Sequence, residues 1–420
     1  MDKFIIEGGR RLEGRVDIKG AKNSALPILA STLLVEDEFR IENIPMVRDI
    51  VTMKKVLETL GVSVSFDGNS VYIDTRGAVG YEAPYELVKQ MRASYYVLGP
   101  LLSRLGRARV SLPGGCAIGS RPVDLHIKGM RSLGAQVSVV HGYIEVCADS
   151  LRGSHVLLEG ANGPSVGATI NTMMASLRAR GVTIIEGAAM EPEVVDVANF
   201  LKRCGANIQG EGTRKIEIRG VQKLSGCKYR IIPDRIEAGT FAVAAAITKG
   251  DIYLSNVECD CIESILTKLR ETGVIISKDK WGLRIRMDGD IMPTDIETAP
   301  YPGFPTDMQA QFTSLLALSN GVSIVKDAIF EERFMHVPEL VRMGANLHQE
   351  SDYVIIKGVP YLSGAQVMAS DLRASAALVL AGLAAQGTTE ISRIYHIDRG
   401  YESIEERFQS LGAEIWRLKE

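Results

Sequence analysis

One cysteine of this chain stands apart from the other five. Cys116 lies within Ser111-Leu112-Pro113-Gly114-Gly115-Cys116-Ala117-Ile118-Gly119-Ser120-Arg121-Pro122, where three glycines and two prolines describe an exposed, hinged loop around a single thiol. Free cysteine usually prefers burial. A thiol followed five residues later by Arg121 has the surroundings that lower its pKa and let it act as nucleophile or acid. Cys147, Cys204, Cys227, Cys259 and Cys261 fall in strand or helix patterns and read as packing. Only Cys259-x-Cys261 is close enough to share a metal, and no His or Cys pair lies nearby to complete a four-ligand site, so neither metal nor cofactor is expected.

Charged and small polar residues recur at a second kind of place, just before or within the first turn of strongly apolar helical stretches. The clusters are Lys22-Asn23-Ser24, Arg92-Ala93-Ser94, Ser165-Val166-Gly167, Asp234-Arg235, Asp307-Met308-Gln309 and Asp371-Leu372-Arg373. A helix start leaves backbone N–H groups without partners and carries about half a positive charge, so it favours anions. Ser, Asp and Asn at such places are ordinarily N-caps. Lys22, Arg92 and Arg373 have no such reading, because cations oppose the dipole there, and they point to a bound anion. Gly160, Gly163 and Gly167 crowd one of these starts in a turn that could approach a phosphate or sugar closely, although it matches no phosphate-loop motif. Two further polar links, Glu331 to His336 and His396 to Gly400, are either helix-capping ion pairs or contributors to the same cleft as the Cys116 loop. His336 and His396 lack partners at metal spacing and read as structural.

These residues are positioned by a repeat. A helical segment ending in Gly, then a strand, a turn and a second strand, recurs with its glycine at Gly61, Gly134, Gly205, Gly273, Gly344 and Gly412, at intervals of 68 to 73 residues. The sixth phrase has only its first strand, and Phe4 to Gly14 matches the missing second strand and its Leu-x-Gly sequel. The N-terminal strand is therefore expected to complete the sixth repeat. That closure predicts a discontinuous domain of residues 1–21 plus 230–420 and a continuous one of 22–229, with three repeats each. Each repeat reads strand, helix, strand, helix, strand, strand, beginning for example with Val16 to Gly20, an apolar helix Ala25 to Leu34 and an amphipathic helix Val47 to Leu60. A helix that is apolar all round is buried, so the fold class is α/β with an inside-out arrangement, helices within and sheet without.

Composition bounds the rest. With 420 residues, 46% apolar and 24% charged, the chain is too long for one ordinary core and reads as globular. A net charge of −3 supplies no basic footprint for nucleic acid. No export signal precedes the first strand, the longest apolar run falls short of the ~20 residues that span a bilayer, and the scattered cysteines suit a reducing compartment. The expectation is a cytoplasmic protein.

The motifs resemble those of the UDP-N-acetylglucosamine 1-carboxyvinyltransferases over essentially the whole chain: residues 20–31, 91–94, 112–129, 164–171, 301–311, 333–340, 371–385 and 396–402 carry the likeness. That resemblance implies a pair of inside-out α/β barrels of three repeats each. It also implies transfer of the enolpyruvyl group of phosphoenolpyruvate to the 3′-hydroxyl of UDP-N-acetylglucosamine. Such a reaction needs a proton donor for a methylene carbon, a base for a sugar hydroxyl and cations around highly charged substrates. By resemblance Cys116 is the general acid, able to hold a covalent phosphoenolpyruvate adduct, and Asp307 the base at the sugar hydroxyl. Lys22, Asn23, Arg121 and Arg399 hold phosphoenolpyruvate. Arg92, Arg121, Pro122, Val123, Asp124, Leu125, Ser165, Val166, Gly167, Asp307 and Ile329 hold the nucleotide sugar, with Asp371 and Arg333 in support. Where members of the family can carry a Lys shortly before Ser-Val-Gly, this chain has Asn162-Gly163-Pro164. The nearest alternative, 5-enolpyruvylshikimate-3-phosphate synthase, shares fold and donor but lacks the Cys loop. An alternative of another class is a non-catalytic paralogue that binds the UDP-sugar and regulates a partner.

Overall fold

A computed structural model of the chain describes residues 2–112, 123–161 and 163–419. These residues gather into two units, one of 2–19 with 233–419 and the other of 20–112, 123–161 and 163–232. Each has its own hydrophobic core.

The core of each unit is a group of helices with scarcely any exposed face, their polar residues included. In the first unit these are Arg235–Ile247, Gln309–Leu316 and Leu372–Ala384, packed on one another. In the second they are Lys22–Ser31, Leu98–Leu105 and Val166–Ser176. Small residues let these helices approach. A side chain on Gly99 would place its Cβ 2.4 Å from the carbonyl oxygen of Asn171, so only glycine fits where two of them touch. The first buried helix begins at Lys22, earlier than the expected Ala25, and its last expected turn, Thr32–Leu34, is a 3-10 turn.

Three four-stranded sheets cover each helix group, and none of the sheets closes on itself among the described residues. Strands alternate buried and exposed positions, as in Tyr353–Lys357 and Val182–Glu186, so one sheet face meets the helices and the other meets water. Every sheet has one parallel pair and a hairpin that adds two antiparallel strands, and in four of the six the parallel pair is the strand before a buried helix and the strand after that same helix. The sheet of Glu297 shows it, with Ile296–Glu297 parallel to Val322–Lys326, which is antiparallel to Tyr353–Lys357.

The six marker glycines all follow an amphipathic helix and all have φ between +91° and +104°. Each closes the same double hydrogen bond. The Gly61 N–H donates to Glu58 and the Val62 N–H to Leu57; the Gly344 N–H donates to Val341 and the Ala345 N–H to Leu340. This satisfies carbonyls that the helix end would leave orphaned and requires a left-handed residue, which glycine adopts without a Cβ clash.

Strand pairing differs from the sequence reading in one respect. The strand Glu13–Asp17 precedes the helix Lys22–Ser31 but pairs in parallel with Asp251–Ser255 of the first unit. Conversely, Lys228–Arg230 precedes Arg235–Ile247 but pairs with Glu38–Glu42 of the second. The chain changes unit after Lys19 and after Ile232, so the strand ahead of each crossing stays with the unit it is leaving. The N-terminal strand Lys3–Glu7 lies between Thr388–Ser392 and Glu414–Leu418, with Phe4 opposite Ile391 and Ile5 opposite Trp416, and so completes the sixth repeat.

Candidate active site

In the first unit the expected residues converge on Asp307. It lies in the turn Thr306–Met308 that starts a buried helix, and its two oxygens are held separately. Arg333 Nη2 is 2.8 Å from Oδ1 and Arg373 Nη2 is 2.7 Å from Oδ2. The arginine side chains are 6% and 5% exposed while that of Asp307 is 25% exposed, so the carboxylate is the part of the triad that a ligand can reach. Burial pushes the Asp307 carboxyl up, but the two guanidinium groups more than offset this and hold it well below the usual carboxylate range.

The arginines are fixed in turn. Arg373 Nη1 donates to the Tyr401 hydroxyl at 3.2 Å, and Tyr401 shares a 2.8 Å hydrogen bond with Thr240. Gln311 donates to Thr240 and to the Asp307 carbonyl. Arg333 donates to Thr306, whose hydroxyl donates to Asp327. Asp327 also accepts the backbone N–H of Ile329, so Ile329 is tied to the Asp307 turn through two side chains.

Asp371 caps its helix, accepting from the N–H groups of Arg373 at 2.8 Å and Ala374 at 3.2 Å. His336 is buried; that burial pushes it down to about 4, with Asp371 opposing the shift and Arg333 adding to it. Arg399 ends the turn Ile394–Arg399, and the next residue, Gly400, sits against Leu372, where a Cβ would meet the leucine at 2.6 Å. The segment carrying Arg399 therefore packs on the start of the helix that carries Arg373.

In the second unit a different set assembles. Lys22 Nζ lies 3.3 Å from Asp49 Oδ2, with both side chains almost buried, and Asn23 is next to it. Ser24 donates to Asp196, which also accepts from the Tyr229 hydroxyl at 2.5 Å. The remaining residues surround His126. Its Nδ1 faces the Asn171 amide nitrogen at 3.1 Å, and Asn171 also accepts from the Gly99 N–H and donates to the Tyr95 carbonyl. With Asn171 donating, the ring carries its proton on Nε2. A Cβ on Gly167 would lie 3.0 Å from that nitrogen, so the imidazole occupies the space a side chain there would need. Burial, then Arg92, push His126 down to about 4 against the pull of Asp124. Arg92, Val123, Asp124, Leu125, Ser165, Val166 and Gly167 thus belong to one neighbourhood, with Ser165 capping its helix through the Ala168 N–H at 3.2 Å.

Two expectations change. Lys22 and Arg373 each have a carboxylate partner in their own unit, Asp49 for Lys22 and Asp307, shared with Arg333, for Arg373, so a bound anion is not the sole account of their places. Of the five cysteines read as packing, only Cys204 is buried, while Cys147 is exposed at a strand end and Cys227, Cys259 and Cys261 are half-buried. His126, Tyr401, Thr240, Asp49 and Asp196 were not singled out by sequence, although His126 directly follows Asp124-Leu125. Cys116, Arg121 and Pro122 lie outside the described residues.

Residues 6–408 match the family model of EPSP synthase (3-phosphoshikimate 1-carboxyvinyltransferase). The chain is 53% identical, over the full length of both proteins, to UDP-N-acetylglucosamine 1-carboxyvinyltransferases from Geotalea uraniireducens and from Klebsiella pneumoniae. Among solved structures it resembles the enolpyruvyl transferase NikO from Streptomyces tendae, with a TM-score of 0.90 and 25% identity over 99% of this chain and 98% of that one. EPSP synthase from Acinetobacter baumannii shares the fold at a TM-score of 0.78 and 19% identity, with both chains fully covered. Half of all positions shared from end to end outweighs a fold held in common at 19%, and on that ground the chain belongs to the UDP-N-acetylglucosamine 1-carboxyvinyltransferase family of enolpyruvyl transferases.

Proposed function

We propose that the chain transfers the carboxyvinyl group of phosphoenolpyruvate to the 3′-hydroxyl of UDP-N-acetylglucosamine and releases phosphate, an early step in building peptidoglycan precursors. In the addition, the hydroxyl oxygen bonds to C2 of phosphoenolpyruvate, its proton passes to a base and C3 takes a proton from an acid. In the elimination, C3 loses a proton and the C2–O bond to phosphate breaks, which restores the double bond. Cys116 serves as the acid and as the thiol able to hold phosphoenolpyruvate. Lys22, Asn23, Arg121 and Arg399 hold the donor. Arg92, residues 121–125, the 165–167 helix start and Ile329 hold the acceptor. The cations of the chain meet the charge of both substrates, and neither metal nor cofactor enters the reading.

The observation that carries this assignment is the Asp307 carboxylate, held ionised between two buried arginines and itself more exposed than either. A carboxylate held this low is a weak base. Its role is to accept and orient the sugar hydroxyl and to receive the proton as the new C–O bond forms, when the hydroxyl becomes far more acidic. No helix of the described residues is long and apolar enough to cross a membrane. The cytoplasm is the compartment proposed, from the cysteine pattern.

Phosphate release from phosphoenolpyruvate tests the assignment, with UDP-N-acetylglucosamine compared against shikimate 3-phosphate and with Cys116→Ala as control. Release with the nucleotide sugar alone, lost in the variant, is expected. Release with shikimate 3-phosphate, or with neither acceptor, would overturn it.

A further inference from the structure

Away from the residues assigned to the reaction, two thiols of the second unit face each other. Cys204 Sγ and Cys227 Sγ are 3.6 Å apart. Cys204 ends the helix Pro192–Arg203 and is 2% exposed; Cys227 is half-buried and lines a surface cavity of about 420 Å³ with Arg40, Tyr72 and Lys228. Cys227 is thus the cysteine of the pair that borders the cavity, and Cys204, which does not line it, is the buried one.

The backbone holds both in place. The Ser225 N–H donates to the Cys204 carbonyl at 2.9 Å, the Arg40 N–H donates to the Cys227 carbonyl at 3.2 Å, and the Gly226 N–H donates to the Asp37 carboxylate at 2.8 Å. Phe200, one turn before Cys204, packs edge-on against Tyr229 at 5.4 Å. A disulfide closes the two sulfurs from 3.6 Å to a bond of about 2 Å. The hydrogen bond between the two thiols lowers the Cys227 thiol, and nearby Arg203 adds to this against the effect of burial; the same hydrogen bond, with burial, raises Cys204. Cys227, on the cavity side of the pair, is the cysteine that a reagent entering the cavity meets first.

We propose that Cys204 and Cys227 are a modification site, a dithiol that a hydroperoxide converts to a disulfide, with Cys227 reacting first and Cys204 resolving. The Cys227 thiolate attacks the terminal oxygen of the peroxide, the O–O bond breaks, and the departing hydroxide or alkoxide takes a proton. Cys227 is then a sulfenic acid. Cys204 sulfur attacks Cys227 sulfur, the S–O bond breaks, and the hydroxide leaves as water with the proton of Cys204. Two electrons pass from the two sulfurs to the peroxide, and a dithiol reductant reverses the change.

The test uses the full reduced chain. It is treated with hydrogen peroxide, alkylated, digested without reduction and mapped by mass spectrometry, alongside the same chain in concentrated urea. The expected result is a Cys204–Cys227 linked peptide at least tenfold more abundant than any other cysteine pair, absent after dithiothreitol and not enriched in urea. In Cys204→Ser, dimedone should label Cys227 instead. Both thiols remaining alkylatable, oxidation of Cys227 without the link, or the same scatter of pairs as in urea would each overturn the proposal. Because the readout is a peptide mass, its failure leaves the transferase assignment untouched.

Discussion

Arg373 holds Asp307 by its guanidinium at 2.7 Å while its own backbone N–H is held by Asp371 at 2.8 Å. One residue thus joins a helix cap to the carboxylate offered to the substrate, so that the direction of the buried helix sets the place of the charge. Asp307→Asn keeps the shape but removes the charge, leaving two nearly buried guanidinium groups without their counter-ion. Loss of one member of a buried pair costs about 3–5 kcal/mol, and loss of acid–base function costs about 10²–10⁴ in rate. The variant should therefore fall by that factor in kcat and unfold at lower denaturant. Measured kcat within threefold of the unaltered chain would remove Asp307 from the reaction.

The same pair makes stability depend on acidity. The folded pKa of Asp307 is depressed, so its contribution is complete above the unfolded value near 4 and disappears as pH falls through the lower folded value. Denaturant midpoints of the unaltered chain and Asp307→Asn should differ most at pH 5–7 and converge below about pH 4. A constant difference down to pH 3 would show that the charge is not what stabilises the turn.

His126 gives a prediction for the nucleotide-sugar neighbourhood. Gly167→Ala places a methyl group 3.0 Å from His126 Nε2 and Cε1, against a ring anchored on its other side by Asn171. The ring or the helix start must shift by a few tenths of an ångström, and either moves the 165–167 amides. KM for UDP-N-acetylglucosamine should rise about tenfold, equivalent to about 1.4 kcal/mol, with kcat and KM for phosphoenolpyruvate nearly unchanged. Equal changes in all three would mean general disruption rather than displaced sugar contacts.

What could be read in the sequence was what one residue type alone can satisfy. The marker glycines declared themselves because φ near +90° after a helix excludes most other residues, and the apolar helices because no polar face interrupts them. What could not be read was the choice of partner. A strand before a buried helix looks the same whether it pairs with Glu38–Glu42 or with Asp251–Ser255, so the exchange at the two crossings was invisible. Lys22 and Arg373 looked unpaired because Asp49 and Asp307 come from separate segments of the chain. Cys147 looked buried, yet the alternation that buries Ile144 and Val146 turns it outward.

Two alanine substitutions separate conformation from packing. Nothing lies within 4 Å of where a Cβ on Gly344 would stand, so Gly344→Ala suffers only left-handed backbone strain, about 1–2 kcal/mol. Gly99→Ala must instead push apart two buried helices that meet 2.4 Å from the new atom, and should cost more than 3 kcal/mol or prevent folding. Equal losses in chemical denaturation would contradict this distinction.

The N-terminal strand offers a test of closure that does not depend on activity. Phe4 and Ile6 are fully buried in the core of the unit that contains residues 233–419, while Ile5, on the opposite face, is only partly covered. Phe4→Ala should cost about 3–5 kcal/mol and Ile5→Ala about 1 kcal/mol or less. Because the strand is hydrogen-bonded on both sides, the loss should appear in particular neighbours. Amide exchange should accelerate in Thr388–Ser392 and Glu414–Leu418 and stay unchanged in Glu38–Glu42 and Ser70–Asp74, which belong to a sheet of the other unit. Acceleration spread equally over both units would mean that they unfold as one cooperative body and that the N-terminal strand stabilises the whole chain rather than the repeat it completes.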